Sequence, residues 1–230
     1  MNTHTPSEER THRVAVDTGG TFTDVAVSRP DGSIFVWKVP STPASPDEAV
    51  VAGLTEALSE IDGHPGEVAR FVHGTTVATN TVITRTGARV ALVTTEGFRD
   101  LLAIGHQARP SLYDLAVSRP QPLAPGEMTW EVSERIAADG TELAAVDRPQ
   151  LAEIATLIRE ANPDVVVVSL LNAYANPAHE QEIVEGLRET GAARSVFSAT
   201  SITSEMREYE RTSTAVLNGY VQPKIAGYVD

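Results

Sequence analysis

The stretch Arg13-Val-Ala-Val-Asp-Thr-Gly-Gly-Thr-Phe-Thr-Asp-Val-Ala-Val27 constrains this 230-residue chain more than any other. Two apolar, β-branched runs are separated by a Gly-centred turn, the signature of a β-hairpin. The turn is packed with hydroxyls (Thr18, Thr21, Thr23) and flanked by carboxylates, Asp17 before it and Asp24 after it. Glycines without Cβ let a backbone approach a ligand closely, and successive N–H groups can bind an anion. Threonine hydroxyls add donors, and a carboxylate at a strand end can hold hydrated Mg²⁺ beside phosphates. An ordinary Gly-Gly hairpin is the plain alternative. The pattern Asp-x-Gly-Gly-Thr-x-Thr-Asp favours the phosphate-binding one.

A chain of this length can bury a sizeable core, as one large α/β domain or one and a half ordinary ones. Its formal charge of −13 argues against nucleic acid or an anionic membrane as partner. With no cysteine, disulfides, thiol nucleophiles and cysteine metal clusters are excluded. The polar start, Met1 to Arg10, lacks the apolar core of a signal peptide, and no run approaches the roughly 20 apolar residues of a membrane helix. A cytoplasmic protein is the expectation. The six histidines show no ligand spacing, so no protein-bound transition metal is expected.

Residues 1–12 read as a disordered tail. After the hairpin, Pro30-Asp31-Gly32-Ser33 is a turn and Ile34–Val39 a third strand, giving an antiparallel meander. Ser45-Pro46-Asp47-Glu48 reads as a capping box opening a helix that carries Val50, Leu54, Ala57, Leu58 and Ile61 on one face. Val68–Val72 predicts a short strand, and the polar segment His73–Asn80 a strand-to-helix turn. A strand over 89–94, a short helix over 97–104 and a long proline-rich loop from Gly105 to Gly126 follow. Thr129–Ala137 reads as one exposed strand. The last third alternates helix and strand around Val165–Leu171, an apolar run buried on both faces, which indicates parallel pairing. A final helix starts near Glu205 and stops at Asp230 without a cap, which reads as a chain cut inside a larger protein.

Nine stretches, in order, resemble the N-terminal region of the hydantoinase/oxoprolinase family. They include Val16–Asp24, Lys38-Val-Pro-Ser-Thr-Pro43, His73–Asn80, Gly87–Thr95, Gly97-Phe-Arg-Asp100, Gln107-Ala-Arg-Pro110, Leu112-Tyr-Asp114, Asn176–Glu180 and Glu208–Thr214. The resemblance spans about residues 13 to 229. It implies an α/β fold with a ribonuclease-H-like mixed sheet and flanking helices, half of an actin-like ATPase architecture. It implies residues 13–200 as the family's N-terminal domain and 201–230 as the start of the following hydantoinase A domain. It also implies ATP and Mg²⁺ as cofactors, with the first hairpin cradling the β- and γ-phosphates. The implied activity is ATP-dependent opening of cyclic amides such as 5-oxoproline and N-methylhydantoin, through phosphorylation of a carbonyl or enolate oxygen. Relatives serve as nucleotide-handling subunits of acetone and acetophenone carboxylases. The implied partners are a small cyclic amide or ketone and a second hydantoinase-type subunit in an oligomer. A non-catalytic binding or assembly domain stays open as a third reading. The superfamily site lies between two domains, so the second phosphate hairpin and the adenosine pocket are expected beyond Asp230.

Asp17 and Asp24 are the candidate catalytic carboxylates, with Asp17 holding Mg²⁺ directly or through water. Thr18, Gly19, Gly20, Thr21 and Thr23 are the candidate nucleotide-binding residues. His73, Gly74, Thr75, Thr76 and Asn80 suit an anion or polar substrate at a helix start, or a simple cap. Arg109, with Asp114 nearby in the proline-rich loop, could clamp a carboxylate or phosphate, or contact a subunit. His179 and Glu180 read as surface capping groups. Arg211 reads either as a cleft residue or as half of a structural salt bridge. His106 stands where relatives carry Arg or Asn.

Overall fold

In the computed structural model, which describes residues 11–42, 45–108, 111, 113–114 and 116–229, the opening meander forms as expected. Strand β1 (His12–Thr18) pairs antiparallel with β2 (Phe22–Ser28), which pairs antiparallel with β3 (Ile34–Pro40). Residues 1–10 of the expected tail lie outside the described residues. Thr11 is described and donates its N–H to Glu67 O.

Side chains alternate across a strand, so Val14, Val16, Val25 and Val27 all reach one face and are almost fully buried. There they meet Ala57 and Leu58 of helix α1 (Pro46–Ser59), with Val50, Leu54, Phe35 and Trp37 packed alongside. Gly53 lies against the sheet, where a Cβ would stand 3.0 Å from Val25 Cγ2 and 3.1 Å from Val39 Cγ2. The expected capping box is not formed. Ser45 is the N-cap, but its side chain makes no cap hydrogen bond, and Ser45 O instead accepts from the Thr42 hydroxyl.

Strand β4 (Val68–Thr75) runs parallel to β1 and completes a mixed sheet in the order β3-β2-β1-β4. Here sequence and structure differ. The strand continues through His73, Gly74 and Thr75, because Val16, Asp17 and Thr18 of β1 extend the ladder to them. Helix α2 (Val77–Thr84) then starts directly after Thr76.

Chain contacts divide the molecule into two units, Met1–Thr86 with Lys224–Asp230, and Gly87–Pro223. The second unit is built on a parallel sheet ordered β10-β9-β5-β6, from β5 (Val90–Thr95), β6 (Thr129–Val132), β9 (Val165–Ser169) and β10 (Ser195–Ser198). Helix α3 is short (Leu101–Ile104), with Gly97–Asp100 in turns rather than helix. The expected strand over 129–137 breaks in two: β6 joins the buried sheet, and β7 (Arg135–Ile136) forms a small hairpin with β8 (Glu142–Ala144). The break falls at Ser133 and Glu134, where the Glu134 side chain turns inward.

Helices α4 (Arg148–Ala161) and α5 (Ala178–Glu189) pack Ile154, Ile158, Ile183 and Leu187 against Ala91, Val93, Val166 and Val168. Asp147 caps α4 by accepting from Gln150 N at 3.0 Å, and Asn162 ends it in the left-handed region at φ 48°. Gly219 of helix α6 (Glu208–Val229) faces the sheet's other side, where an added Cβ would sit 3.1 to 3.3 Å from Val165, Val167 and Phe197. Residues Val165 to Val168 are therefore buried from both sides, as a continuous apolar run in a parallel sheet requires. Among the described residues, no helix is long and apolar enough to cross a membrane.

Candidate functional site in the first unit

The parallel strands β1 and β4 end at the same edge of the first sheet, and three pieces of chain meet there. They are the Gly19–Thr21 turn, the end of β4, and the start of α2. The turn closes with Gly19 N donating to Phe22 O at 3.0 Å. Neither Gly19 nor Gly20 is in the left-handed region, so the glycines are not required by backbone handedness. Their role is steric: a Cβ on Gly19 would stand 3.0 Å from Phe22 O, and one on Gly20 would stand 3.1 Å from Asn80 Nδ2.

The turn's carbonyls are held from behind by Ser41. Its hydroxyl donates to Gly19 O at 2.9 Å and shares a 3.0 Å hydrogen bond with Thr23 Oγ1, while its N–H donates to Thr21 O at 2.9 Å. With those carbonyls engaged, the N–H groups of Gly20 and Thr21 have no partner among the described residues. Two adjacent unpaired donors on a fixed turn form an anion-binding concavity.

Thr18 is buried and braces the turn toward β4 and α2. Its hydroxyl hydrogen-bonds to His73 Nε2 at 3.1 Å, and its carbonyl accepts from Thr76 N at 3.1 Å. Asn80 stands one helical turn on and donates from Nδ2 to Thr76 Oγ1 at 3.1 Å, which places its amide beside Gly20. The Thr75 hydroxyl accepts from Val77 N at 3.2 Å. Burial pulls the His73 pKa below its usual range, and the neighbouring Asp17 carboxylate partly offsets this.

Asp17 and Asp24 sit directly opposite each other on one face of the hairpin, yet their surroundings differ. Asp24 is paired with Lys38 at 3.0 Å. The Asp17 carboxylate lies over Gly74, where an added Cβ would stand 3.4 Å from Oδ1. No hydrogen bond to it is found among the described residues. A carboxylate and two N–H groups that have no hydrogen-bond partner among the described residues, beside a layer of hydroxyls, fit a divalent cation with polyphosphate.

Thr18, Gly19, Gly20, Thr21, Thr23, Asp17, Asp24, His73, Gly74, Thr75, Thr76 and Asn80 thus gather at one edge. Ser41 and Lys38 were not singled out from the sequence, although both fall in the Lys38–Pro43 stretch shared with the family.

The other candidates belong elsewhere. Arg109 lies outside the described residues. Asp114 accepts from Ala116 N at 2.9 Å in a local turn of its loop. Arg211 lies in the second unit and is 1% exposed. Its guanidinium donates to Leu170 O at 2.7 Å, to Glu205 O at 3.2 Å and to the Glu208 carboxylate, so the structural salt bridge is the arrangement found.

His179 and Glu180 are buried rather than surface caps. His179 Nδ1 lies 2.7 Å from Glu134 Oε2, and Glu134 also accepts from the Thr95 hydroxyl. Glu180 accepts from Leu170 N and from both the N–H and hydroxyl of Thr200. Burial raises its pKa, partly countered by those hydrogen bonds and by Arg211. Helix α5 docks onto the sheet at its first turn, and sequence periodicity gave no sign of that.

The family model of the hydantoinase/oxoprolinase N-terminal region matches residues 13–191. The chain is 32% identical to caprolactamase subunit alpha of Pseudomonas jessenii, over 95% of this chain and 32% of that protein. It is also 32% identical to 5-oxoprolinase 1 of Arabidopsis thaliana, over 94% of this chain and 19% of that protein. To the acetophenone carboxylase gamma subunit of Aromatoleum aromaticum it is again 32% identical, over 94% of this chain and 32% of that protein. The crystal structure of the ATP-dependent caprolactamase from Pseudomonas jessenii superposes with a TM-score of 0.84 at 30% identity, covering 94% of this chain and 32% of that one. The fold is therefore the expected α/β, ribonuclease-H-like arrangement of mixed sheet and flanking helices. The chain spans a third or less of the length of these relatives.

Proposed function

Because the chain belongs to the hydantoinase/oxoprolinase family, we propose that it is the nucleotide-phosphate-binding part of an ATP-dependent cyclic-amide hydrolase. The observation that carries this reading is the pair of N–H groups at Gly20 and Thr21, without a hydrogen-bond partner among the described residues, on the same sheet edge as the Asp17 carboxylate. In the proposed role the Gly19–Thr21 turn receives the β- and γ-phosphates of ATP, and Asp17 holds Mg²⁺ directly or through water. Bound Mg-ATP would supply the phosphoryl group that turns an inert amide oxygen into a leaving group.

This chain's own residues provide position and charge. Ser41 holds the turn through Gly19 O and Thr21 O, and Thr18 ties it to His73 and to the start of α2. The α2 N-terminus adds its positive dipole end beside the same turn. The Asp17 carboxylate lies over Gly74 of β4. Such a site works without a covalent intermediate on the protein, because phosphoryl transfer depends chiefly on placement and electrostatic stabilisation.

The relatives with amidase names support a small cyclic amide, such as a lactam or 5-oxoproline, as the proposed substrate class. The carboxylase reading has support of its own in the 32% identity to the acetophenone carboxylase gamma subunit. Several relatives are subunits by name, so a second, hydantoinase-type subunit is part of the proposal. The remainder of the ATP site, including an adenosine pocket, is proposed to lie outside these residues.

The test is ADP release by the longest reading frame carrying this sequence, assembled with its partner subunit. ADP release that depends on 5-oxoproline, a hydantoin or a lactam supports the hydrolase. Release that requires a ketone and bicarbonate supports the carboxylase instead. ATP-independent amide hydrolysis contradicts both.

A further inference from the structure

We propose that Lys38 is a mobile cation of the phosphate site, parked on Asp24 and drawn onto polyphosphate when it occupies the Gly19–Thr21 turn. This rests on the reading that the turn binds phosphate, and adds to it a residue from a different strand.

The register places Asp17, Asp24 and Lys38 in one row across β1, β2 and β3, on the face away from α1. Neighbouring strands are about 4.8 Å apart, so two carboxylates lie side by side with a single ammonium adjoining them. Lys38 pairs with the nearer, Asp24, at 3.0 Å, and no salt bridge to Asp17 is found among the described residues.

The ammonium also leans along the sheet toward the turn. Lys38 Nζ lies 5.2 Å from the centre of the Phe22 ring, and Phe22 is two residues nearer the turn than Asp24 on the same face. Two strand residues rise about 6.6 Å, within the reach of a lysine side chain. Phe22 is the residue whose carbonyl closes the turn. The aromatic face therefore supports the ammonium at the rim of the proposed cradle.

Lys38 is not held there for stability. Its side chain is 56% exposed and that of Asp24 46%, and exposed pairs of this kind add little to folding. What the pair does accomplish is to keep a cation beside a turn that offers only neutral donors. A polyphosphate carries more charge than one carboxylate, so it competes with Asp24 for Lys38. Lysine suits such an exchange, as a compact charge on a flexible stem. Asp24 then acts as a positioning residue, while Asp17 keeps its place at the cation.

The experiment is a titration of the 230-residue chain with sodium tripolyphosphate, read from the backbone amide resonances of Gly20 and Thr21. Lys38→Met should weaken binding roughly two- to fivefold, as for removal of one exposed charge contact. Lys38→Arg should restore it to near the wild-type value. Asp24→Asn should strengthen binding, and should do so less when Lys38→Met is also present. Lys224→Met removes the same charge elsewhere and should leave the affinity unchanged. If Gly20 and Thr21 respond equally in wild type and Lys38→Met, the role of Lys38 is refuted while the cradle stands. If neither amide responds at any soluble concentration, the cradle itself fails, and Lys38 with it.

Discussion

Replacing Ser41 by alanine isolates the device that orients the proposed cradle. The change removes one hydroxyl and leaves the backbone bond from residue 41 to Thr21 O in place. Two partners are stranded: Gly19 O, which loses a 2.9 Å hydrogen bond, and Thr23 Oγ1, which loses a 3.0 Å one. Thr23 is fully buried, so water cannot replace its partner. At roughly 1 kcal/mol for each ordinary hydrogen bond, the expected loss is about 2 kcal/mol. For a chain of this size that corresponds to a fall in Tm of roughly 4 to 8 °C. Calorimetry of the two variants measures the stability loss, and hydrogen exchange at Gly19 to Phe22 shows whether it is local to the turn. Tripolyphosphate affinity should fall as well, because the Gly20 and Thr21 donors are no longer fixed. Ser41→Thr keeps the hydroxyl and should retain most of both properties. Unchanged Tm would refute the bracing role. A lowered Tm with unchanged phosphate affinity would show that the orientation of the turn has no bearing on binding.

Three further outcomes follow from the same geometry. Gly20→Val should drive its side chain into Asn80 Nδ2, 3.1 Å from the new Cβ, and weaken phosphate binding about tenfold or more while circular dichroism stays native. Arg211→Ala should leave the Glu208 carboxylate and Leu170 O without their buried partner, costing about 3 kcal/mol in chemical denaturation. His73 has a folded-state pKa below the ordinary value of 6.5, so the folded state prefers neutral imidazole. Its contribution is full above about pH 6.5 and is lost as pH falls through the lower folded value, so stability should decline with acidification. His73→Gln should flatten that part of the stability profile, measured by denaturant unfolding at stepped pH.

The parts of the fold that were legible in the sequence are those written by local patterning. Val14, Val16, Val25 and Val27 alternate, and the hairpin and its buried face follow. Val50, Leu54, Ala57 and Leu58 repeat at helical spacing, and α1 follows. What the pattern did not show depends on pairing between distant segments. His73 to Thr75 read as a turn because their residues are polar, yet the parallel ladder to Val16–Thr18 extends β4 through them. The single strand expected over 129–137 ignored Glu134, whose inward carboxylate meets His179 from a helix 45 residues away. His179 and Glu180 read as surface caps because buried ionic partners cannot be seen in one segment alone.

The candidate site shows the same division. Its glycines, threonines and Asp17 sit in one contiguous motif and could be named directly. Ser41 and Lys38 come from the far end of β3 and just beyond it. Ser41 meets the turn only once the meander is folded, and Lys38 meets Asp24 only through the β2–β3 register. The difference between Asp17 and Asp24 also comes from pairing: register puts them opposite each other, and Lys38 pairs with Asp24.

The central claim is that Asp17 and the Gly19–Thr21 turn together receive a Mg²⁺-bound polyphosphate. Calorimetric titration of the chain with ATP, with and without Mg²⁺, tests it in wild type and Asp17→Asn. Wild type should bind more tightly with Mg²⁺ present, and Asp17→Asn should lose about tenfold in affinity with Mg²⁺ while changing little without it. Equal Mg²⁺-dependence in the two proteins would remove Asp17 from the site and contradict the account.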